Sequence, residues 1–214
     1  AFAGVLFHDD AILSDFEDVG PQALAAYAAA GLPASPQALR ADPDTLQRWT
    51  RFKSRYLVDF TLELRQRVRA IRGEQVLTAR NIFAQPILQP ESETWFAQNL
   101  DDFLQAYDWT APMAMPLMEN VPTNEINPWL DRLVDAVARR PGALGRTVFE
   151  LQALDWRAQP KAQPVPYEPL VGWVQRLQQR GALNYGYYPD NFVKNHPDLH
   201  VLRSNLSNYW FIQP

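Results

Sequence analysis

The sequence predicts an α/β fold with a mainly parallel sheet, and three observations indicate it. Five short apolar segments alternate along the chain with longer helical segments. The helical segments are long enough to carry the chain back across a sheet, as parallel neighbours require. Polar residues follow the apolar segments, at the edge where such folds place their functional loops. Two architectures fit this pattern: an open doubly wound sheet, and part of a (β/α)8 barrel, which needs about 250 residues to close.

A predicted strand and a short predicted helix open the chain. The apolar run 3–8 is followed by Asp9 and Asp10, as a buried parallel strand is at its carboxyl end. Pro21 and Gly31 bracket an alanine-rich segment, which is the usual asymmetry of helix ends.

A long helix is expected over residues 45–72, with Asp44 as its N-cap and Gly73 at its end. Its apolar residues recur at intervals of three or four, which is the helical period. These residues are Leu46, Trp49, Phe52, Tyr56, Phe60, Leu64, Val68 and Ile71.

The remaining elements continue the alternation of strands and helices. We expect strands over 75–82, 109–115, 147–151 and 182–187. We expect helices over 91–107, 127–139 and 167–180. A proline-rich loop over 159–169 and an irregular tail after 187 complete the chain.

The composition indicates a folded chain and excludes several classes of function. Of the 214 residues, 47% are apolar, which is enough for a sizeable core. Because 20 basic residues face 24 acidic ones, the chain has no basic excess and we predict no nucleic-acid partner. The longest apolar run, 23–32, is too short to cross a bilayer. The absence of cysteine excludes disulfides, thiolate metal sites and a cysteine nucleophile.

Acidic charge is concentrated near the start of the chain. Residues 1–39 contain five acidic residues and no lysine or arginine, whereas the rest of the chain is nearly balanced. The acids directly follow the first predicted strand, so we expect them at the edge of the sheet that binds ligands in this class of fold.

Carboxylates and aromatic side chains dominate the residues that follow the predicted strands. Glycoside hydrolysis needs a carboxylic acid and a carboxylate, and aromatic faces can stack on sugar rings. The candidate catalytic residues are Asp9, Asp10, Glu150 and Glu119. The candidate substrate-binding residues are His8, Arg80, Asn81, Trp156, Tyr185, Tyr187, Tyr188 and Asp190.

Each carboxylate also has a structural interpretation. Asp9 and Asp10 could cap the segment that follows them. Glu150 could pair with a cation such as Arg80, since a buried glutamate without a partner is costly. Glu119 could lie exposed on a loop.

Other chemistries lack their signatures in this sequence. His196 and His200 are four residues apart, but Pro197 lies between them and no acidic partner occurs at ligand spacing, so no metal site is predicted. There is no glycine-rich phosphate loop and no Gly-x-Ser-x-Gly motif. We therefore predict no cofactor.

Seven sequence blocks resemble, in the same order, the carboxy-terminal domain of the PgaB-type poly-β-1,6-N-acetyl-D-glucosamine N-deacetylases of biofilm exopolysaccharide export systems. The blocks are GVLFHDDA (4–11), LSDFED (13–18), RFKSR (51–55), DFTLEL (59–64), TARNIF (78–83), QPESE (89–93) and NYGYYPDNF (184–192).

The resemblance implies a (β/α)8 TIM-barrel type domain, of which residues 1–214 cover about the last five strand–helix units. It implies that the first barrel strands, and an amino-terminal deacetylase domain with its metal, belong to a part of the protein outside this chain. It also implies a periplasmic location, associated with the outer membrane in the full-length protein. An outer-membrane export porin is an implied partner.

The resemblance places the acidic cluster of a glycan groove at Asp9 and Asp10, and implies an endo-acting glycoside hydrolase of partially deacetylated poly-β-1,6-N-acetylglucosamine. We hypothesise that one of these aspartates is the general acid and that the other, Glu150 or Glu119 is its partner. The polymer carries ammonium groups, so the carboxylates of the acidic segment would attract it. One alternative is a non-catalytic module that guides the polymer to export. Another is a scaffold that docks the export partner through the proline-rich loop and the tail, in which the acids at the sheet edge serve only as caps.

Overall fold

Helices and strands alternate along residues 3–9, 11–157, 160–198 and 200, which are the residues that the computed structural model describes. The α-helices in this part of the chain are α1 (Pro21–Ala29), α2 (Pro36–Leu39), α3 (Pro43–Arg72), α4 (Ala84–Leu88), α5 (Glu93–Phe96), α6 (Leu100–Ala106), α7 (Ile126–Ala138) and α8 (Tyr167–Gln179). The strands are β1 (Gly4–Phe7), β2 (Leu77–Ile82), β3 (Trp109–Ala114), β4 (Phe149–Gln152), β5 (Leu154–Asp155), β6 (Gln163–Pro164) and β7 (Tyr185–Tyr188). Short 3₁₀ helices span Pro90–Ser92, Thr123–Glu125 and Ala143–Arg146.

The chain divides into two compact units, Ala1–Thr110 and Ala111–Pro214. The predicted α/β alternation is confirmed, because each predicted strand is present with its ends shifted by at most three residues. None of the helices described above is long and apolar enough to cross a membrane.

In the first unit, β1 and β2 form a parallel pair with Gly4 opposite Leu77 and Phe7 opposite Arg80. Gly4 has no room for a side chain, because a Cβ there would overlap the carbonyl of Leu77. The helices between the two strands enclose an apolar cluster. Its buried members are Tyr27, Leu32, Leu39 and Trp49.

Helix α3 follows the predicted limits but not the predicted cap or buried side. Its N-cap is Asp42, whose side chain accepts a hydrogen bond from the Thr45 amide at 2.9 Å, so the prediction of Asp44 is wrong. Gly73, with a φ of 96°, ends the helix as predicted. The buried side chains are Trp49, Thr50, Lys53, Ser54, Val58 and Thr61.

Several apolar residues of the helical period instead lie exposed on the other side of α3. Tyr56, Phe60 and Leu64 are spaced four residues apart and share one helix face. We call these three residues the α3 apolar stripe. The period predicted the helix correctly, but these side chains are not part of its buried face.

The predicted continuous helix over 91–107 is wrong. Ala97 adopts a left-handed conformation with a φ of 50° and ends α5. Asn99 then caps α6 by accepting a hydrogen bond from the Asp102 amide at 3.1 Å. The segment between β2 and β3 is therefore a series of short helices.

An ion-pair network ties these short helices to α3. The Arg51 guanidinium donates to Glu93 at 2.6 Å and to Asp102 at 2.7 Å. Ser54 donates a further hydrogen bond to Glu93 at 2.8 Å. Both carboxylates are largely buried, so Arg51 compensates two charges that water reaches poorly.

In the second unit, β4 pairs in parallel with both β3 and β7. Helices α7 and α8 are amphipathic, and Arg176 of α8 donates to Asp131 of α7 at 2.7 Å. The loop expected over 159–169 contains a strand, β6, which pairs antiparallel with β5.

Candidate functional site

The carboxyl end of β1 brings His8 and Asp9 together in the first unit. The Nδ1 atom of His8 contacts Oδ1 of Asp9. The Asp9 side chain is only 13% exposed, whereas His8 is partly open to solvent. Asp10 lies outside the described residues, so its candidate catalytic role stays a prediction.

Arg80 of β2 contacts the main chain at Ala11, after the end of β1. It is 1% exposed, and its Nη2 donates to the carbonyl of Ala11 at 3.0 Å. Burial lowers the pKa of Arg80, and the nearby Tyr107 and Asp9 oppose this shift. The contact with Ala11 gives Arg80 a structural role in holding this segment, and its predicted role in substrate binding stays a prediction. Asn81 is also fully buried in β2.

Tyr107 and Thr61 extend this buried polar group. Their hydroxyl groups form a hydrogen bond to one another. Burial raises the pKa of Tyr107, whereas its bond to Thr61 and the charge of Arg80 oppose that rise. Sequence reasoning missed both residues, because each has an ordinary helical or loop setting in the sequence.

Segment 11–18 continues from Asp9 and is anchored by Lys53 of α3. The Lys53 ammonium donates to the carbonyl of Ser14, and to that of Glu17 at 2.8 Å. Burial lowers the pKa of Lys53 to about 8, and Asp15 and Glu17 oppose this shift. Sequence reasoning missed Lys53, since a lysine within a helix is ordinarily solvated.

The acids of this segment have partners of their own. Asp15 binds Arg40 at 3.1 Å. Glu17 accepts hydrogen bonds from the amide and the hydroxyl group of Ser14, which lower its pKa. Asp18 accepts one from the Gly20 amide at 2.7 Å. These bonds fold segment 11–18 into a defined loop.

Glu119 lies in the second unit on the turn after β3. It is half-buried, so the interpretation as an exposed loop residue is not supported. Burial raises the pKa of Glu119. Gln152, at the end of β4, holds the turn by accepting hydrogen bonds from the amides of Leu117 and Met118 at 2.7 and 3.0 Å.

Glu119→Gln is expected to stabilise the protein at neutral pH. Folding raises the pKa of this carboxyl group, so the folded state binds its proton more tightly than the unfolded state does. The free energy of unfolding therefore falls as pH rises from the unfolded-state pKa to the folded-state pKa. Glutamine resembles the protonated form of glutamate. The variant should therefore be more stable than the unmodified protein at pH 7, and equally stable at pH 4. Thermal unfolding at both pH values measures it.

The matched control is Glu91→Gln, at an exposed position. Equal melting temperatures of the Glu119→Gln variant and the unmodified protein at pH 7 would contradict the prediction.

Glu150 lies inside β4 rather than at its end. It is half-buried, opposite Met113 of β3 and Gly186 of β7. Nothing in this register assigns it a catalytic role, which stays a prediction.

Trp156 and Tyr188 form an aromatic pair in the second unit. Their ring centroids lie 6.3 Å apart with 34° between the ring planes. Trp156 is 36% and Tyr188 41% exposed, so both rings are accessible. Such a pair presents apolar ring faces to a ligand in solution.

The other predicted aromatic residues have more internal contacts. The Tyr185 hydroxyl accepts a hydrogen bond from Gln178 at 2.9 Å, and burial raises the pKa of Tyr185. Burial and the nearby Asp190 both raise the pKa of Tyr187. His196 contacts the carbonyl of Ala153 at 3.0 Å, which is a structural contact. Within the described residues, no three His, Asp or Glu side chains form a cluster that could hold a metal ion.

Comparison with known proteins identifies close relatives. The model of the family described as "Hypothetical glycosyl hydrolase family 13" matches residues 1–188. The poly-β-1,6-N-acetyl-D-glucosamine N-deacetylases of Escherichia coli K12 and O157:H7 are each 49% identical to the chain over 211 residues. The match covers 99% of this chain and 31% of each relative, so the chain spans about a third of their length.

A solved structure, the PgaB (BpsB) glycoside hydrolase domain from Bordetella bronchiseptica, superposes on the chain with a TM-score of 0.89 and 48% sequence identity. The match covers 97% of this chain and 57% of that one. It confirms the predicted α/β fold of the (β/α)8-barrel type, of which the chain forms part, and the predicted resemblance to PgaB. With the family model matched over residues 1–188, the chain belongs to hypothetical glycosyl hydrolase family 13.

Proposed function

We propose that this chain cleaves internal glycosidic bonds of partially deacetylated poly-β-1,6-N-acetylglucosamine. The observation that carries the proposal is the largely buried Asp9 at the end of β1, which contacts His8 and interacts electrostatically with Arg80. Two findings support the choice of reaction and substrate. The chain belongs to a glycosyl hydrolase family, and its relatives are named for this polymer.

The carboxylates supply the acid–base chemistry in this proposal. Asp9 lies near Arg80, whose pKa it raises, and in the proposal Asp9 is the nucleophile or the base that activates water. Asp10 is its neighbour in sequence and the other member of the predicted pair. In the second unit, burial raises the pKa of Glu119, and its role as a partner carboxylate stays a prediction.

The polymer's charge fits the acidic segment. Each deacetylated sugar carries an ammonium group. Glu17 and Asp18 are exposed acidic residues in the segment that follows Asp9. Opposite charges raise the local concentration of such a polymer and form charge-assisted hydrogen bonds with it.

The proposal extends to the setting of the full-length protein. We propose a periplasmic location associated with the outer membrane, with an export porin as partner. The deacetylase activity for which the relatives are named is proposed to belong to a separate domain.

Trp156→Ala is expected to weaken polymer binding about five- to tenfold. A sugar ring stacked on the indole, or an ammonium group above it, contributes about 1 kcal/mol at an exposed site. Isothermal titration with a defined glucosamine oligosaccharide measures the change. Tyr56→Ala, which removes an exposed aromatic ring from α3, is the matched control. Equal affinities for the two variants would argue against the aromatic pair as a binding surface.

The proposed reaction is tested with full-length protein whose separate deacetylase domain has been inactivated by substitution. The protein is incubated with partially deacetylated polymer and, separately, with fully acetylated polymer. We expect shortened oligosaccharides, detected by mass spectrometry, from the first polymer only. Intact polymer with retained binding would overturn hydrolysis and support a module that guides the polymer to export.

A further inference from the structure

Two buried cations hold the segment that follows β1 by its main chain. Arg80, from β2, donates to the carbonyl of Ala11. Lys53, from α3, donates to the carbonyls of Ser14 and Glu17. Hydrogen bonds from charged donors are roughly twice as strong as those between neutral groups. The residues after Asp9 are therefore fixed at three points from two different elements.

The position of Lys53 leaves its ammonium group little freedom. Lys53 is 1% exposed, on the buried side of α3. Its Nζ lies 3.9 Å from the ring centroid of Trp49, one helical turn earlier. The attraction between a cation and an aromatic face adds to the two hydrogen bonds and keeps the side chain directed at segment 11–18.

Lys53 is not the hydrogen-bond partner of the segment's acids. Asp15 binds Arg40, and Glu17 accepts its hydrogen bonds from Ser14. Lys53 is near both carboxylates, but it donates to main-chain carbonyls. Its charge is therefore used to fix the path of the backbone, while Glu17 and Asp18 remain exposed.

Retaining a charge at this position carries a cost. Burial disfavours the protonated form of Lys53, as the lowered pKa shows. An apolar side chain such as methionine would fill the same space without that cost. A buried charge that the fold does not require for packing indicates a role in the conformation of the loop it contacts.

We propose that Lys53 is a positioning residue, which fixes residues 14–17 from inside α3 and thereby holds Asp9 and its loop in the conformation used for hydrolysis. This inference rests on the proposed function. Small displacements of a catalytic group, of about 1 Å, cost about 100-fold in rate, so a residue that fixes the loop affects turnover more than binding.

The test compares Lys53→Met with Lys161→Met in the full-length protein. Lys161 is an exposed lysine in the second unit and serves as the matched control. We expect Lys53→Met to lower kcat by about 10- to 100-fold, with KM changed much less. We also expect faster amide hydrogen exchange in residues 11–18, with no change in β3 and β4. Unchanged kcat and unchanged exchange would overturn the proposal.

A second variant keeps the test decisive if Lys53→Met does not fold. Lys53→Gln retains a neutral donor and is expected to recover part of both effects. If both variants unfold, the proposal is overturned, because Lys53 would then support the whole unit rather than one segment. If the unmodified protein leaves the polymer intact, the proposed function fails, while the exchange of residues 11–18 still supports or overturns the anchoring by Lys53.

Discussion

Replacing Asp9 and Asp10 together by asparagine is expected to reduce cleavage of partially deacetylated poly-β-1,6-N-acetylglucosamine by about 100- to 10,000-fold. Asparagine keeps the size of aspartate, but it neither carries the negative charge nor transfers a proton. Release of new reducing ends, followed over time, measures the loss. The fold should be retained, since the side-chain oxygen of asparagine can keep the contact that Asp9 makes with the partly exposed His8.

The control for this pair is Asp59→Asn, which removes an exposed carboxylate from α3. It is expected to cleave the polymer at the unmodified rate. Full activity of the double variant would exclude this aspartate pair from the chemistry. Glu119 and Glu150 would then be the carboxylates to replace next.

Arg51→Met is expected to destabilise the first unit by about 2 to 4 kcal/mol. The substitution removes a cation that two largely buried carboxylates share, Glu93 and Asp102, and leaves both charges without their closest compensation. Urea denaturation at pH 7 measures the free energy of unfolding. Adding Glu93→Gln to the variant should recover part of the loss, because one of the uncompensated charges is then absent.

Arg67→Met is the matched control for Arg51→Met. Arg67 pairs with Glu63 on the exposed side of α3, and pairs of this kind contribute about 0.3 to 0.5 kcal/mol. Equal effects at the two arginines would show that the buried network does not stabilise the unit.

Local sequence signals predicted the elements of the fold well. Pro21, Gly31 and Gly73 mark helix ends because their backbone preferences are intrinsic to proline and glycine. The break at Ala97 was not predictable in this way. Alanine has no preference for a left-handed conformation, and the turn depends on contacts of Glu93 and Asn99 that only the folded chain provides.

The buried side of α3 shows a second limit of periodicity. Its apolar residues follow the helical period on two faces, and the period alone does not say which of them is covered. Three of its buried polar side chains find hydrogen-bond partners only after folding: Lys53, Ser54 and Thr61.

In the candidate site, too, local sequence signals predicted some features, whereas others depend on contacts that form only on folding. Asp9 could be placed from the sequence because it ends an apolar strand, and strand ends are where this class of fold carries its chemistry. The depth at which Arg80 is buried could not be predicted, because the residues next to it in the sequence do not indicate it. Lys53 and Tyr107 were missed, since their roles arise from contacts between segments far apart in the chain.

The α3 apolar stripe has a consequence for how the purified chain behaves in solution. Tyr56, Phe60 and Leu64 are exposed to water, and we expect such apolar surfaces on two copies of the chain to attract one another. The net charge of −4 opposes that approach by mutual repulsion. Dissolved ions shorten the range of the repulsion, to about 3 Å at 1 M salt, and leave the apolar attraction intact. The colloidal stability of the chain therefore falls as ionic strength rises, and dilute buffers of low salt favour single molecules.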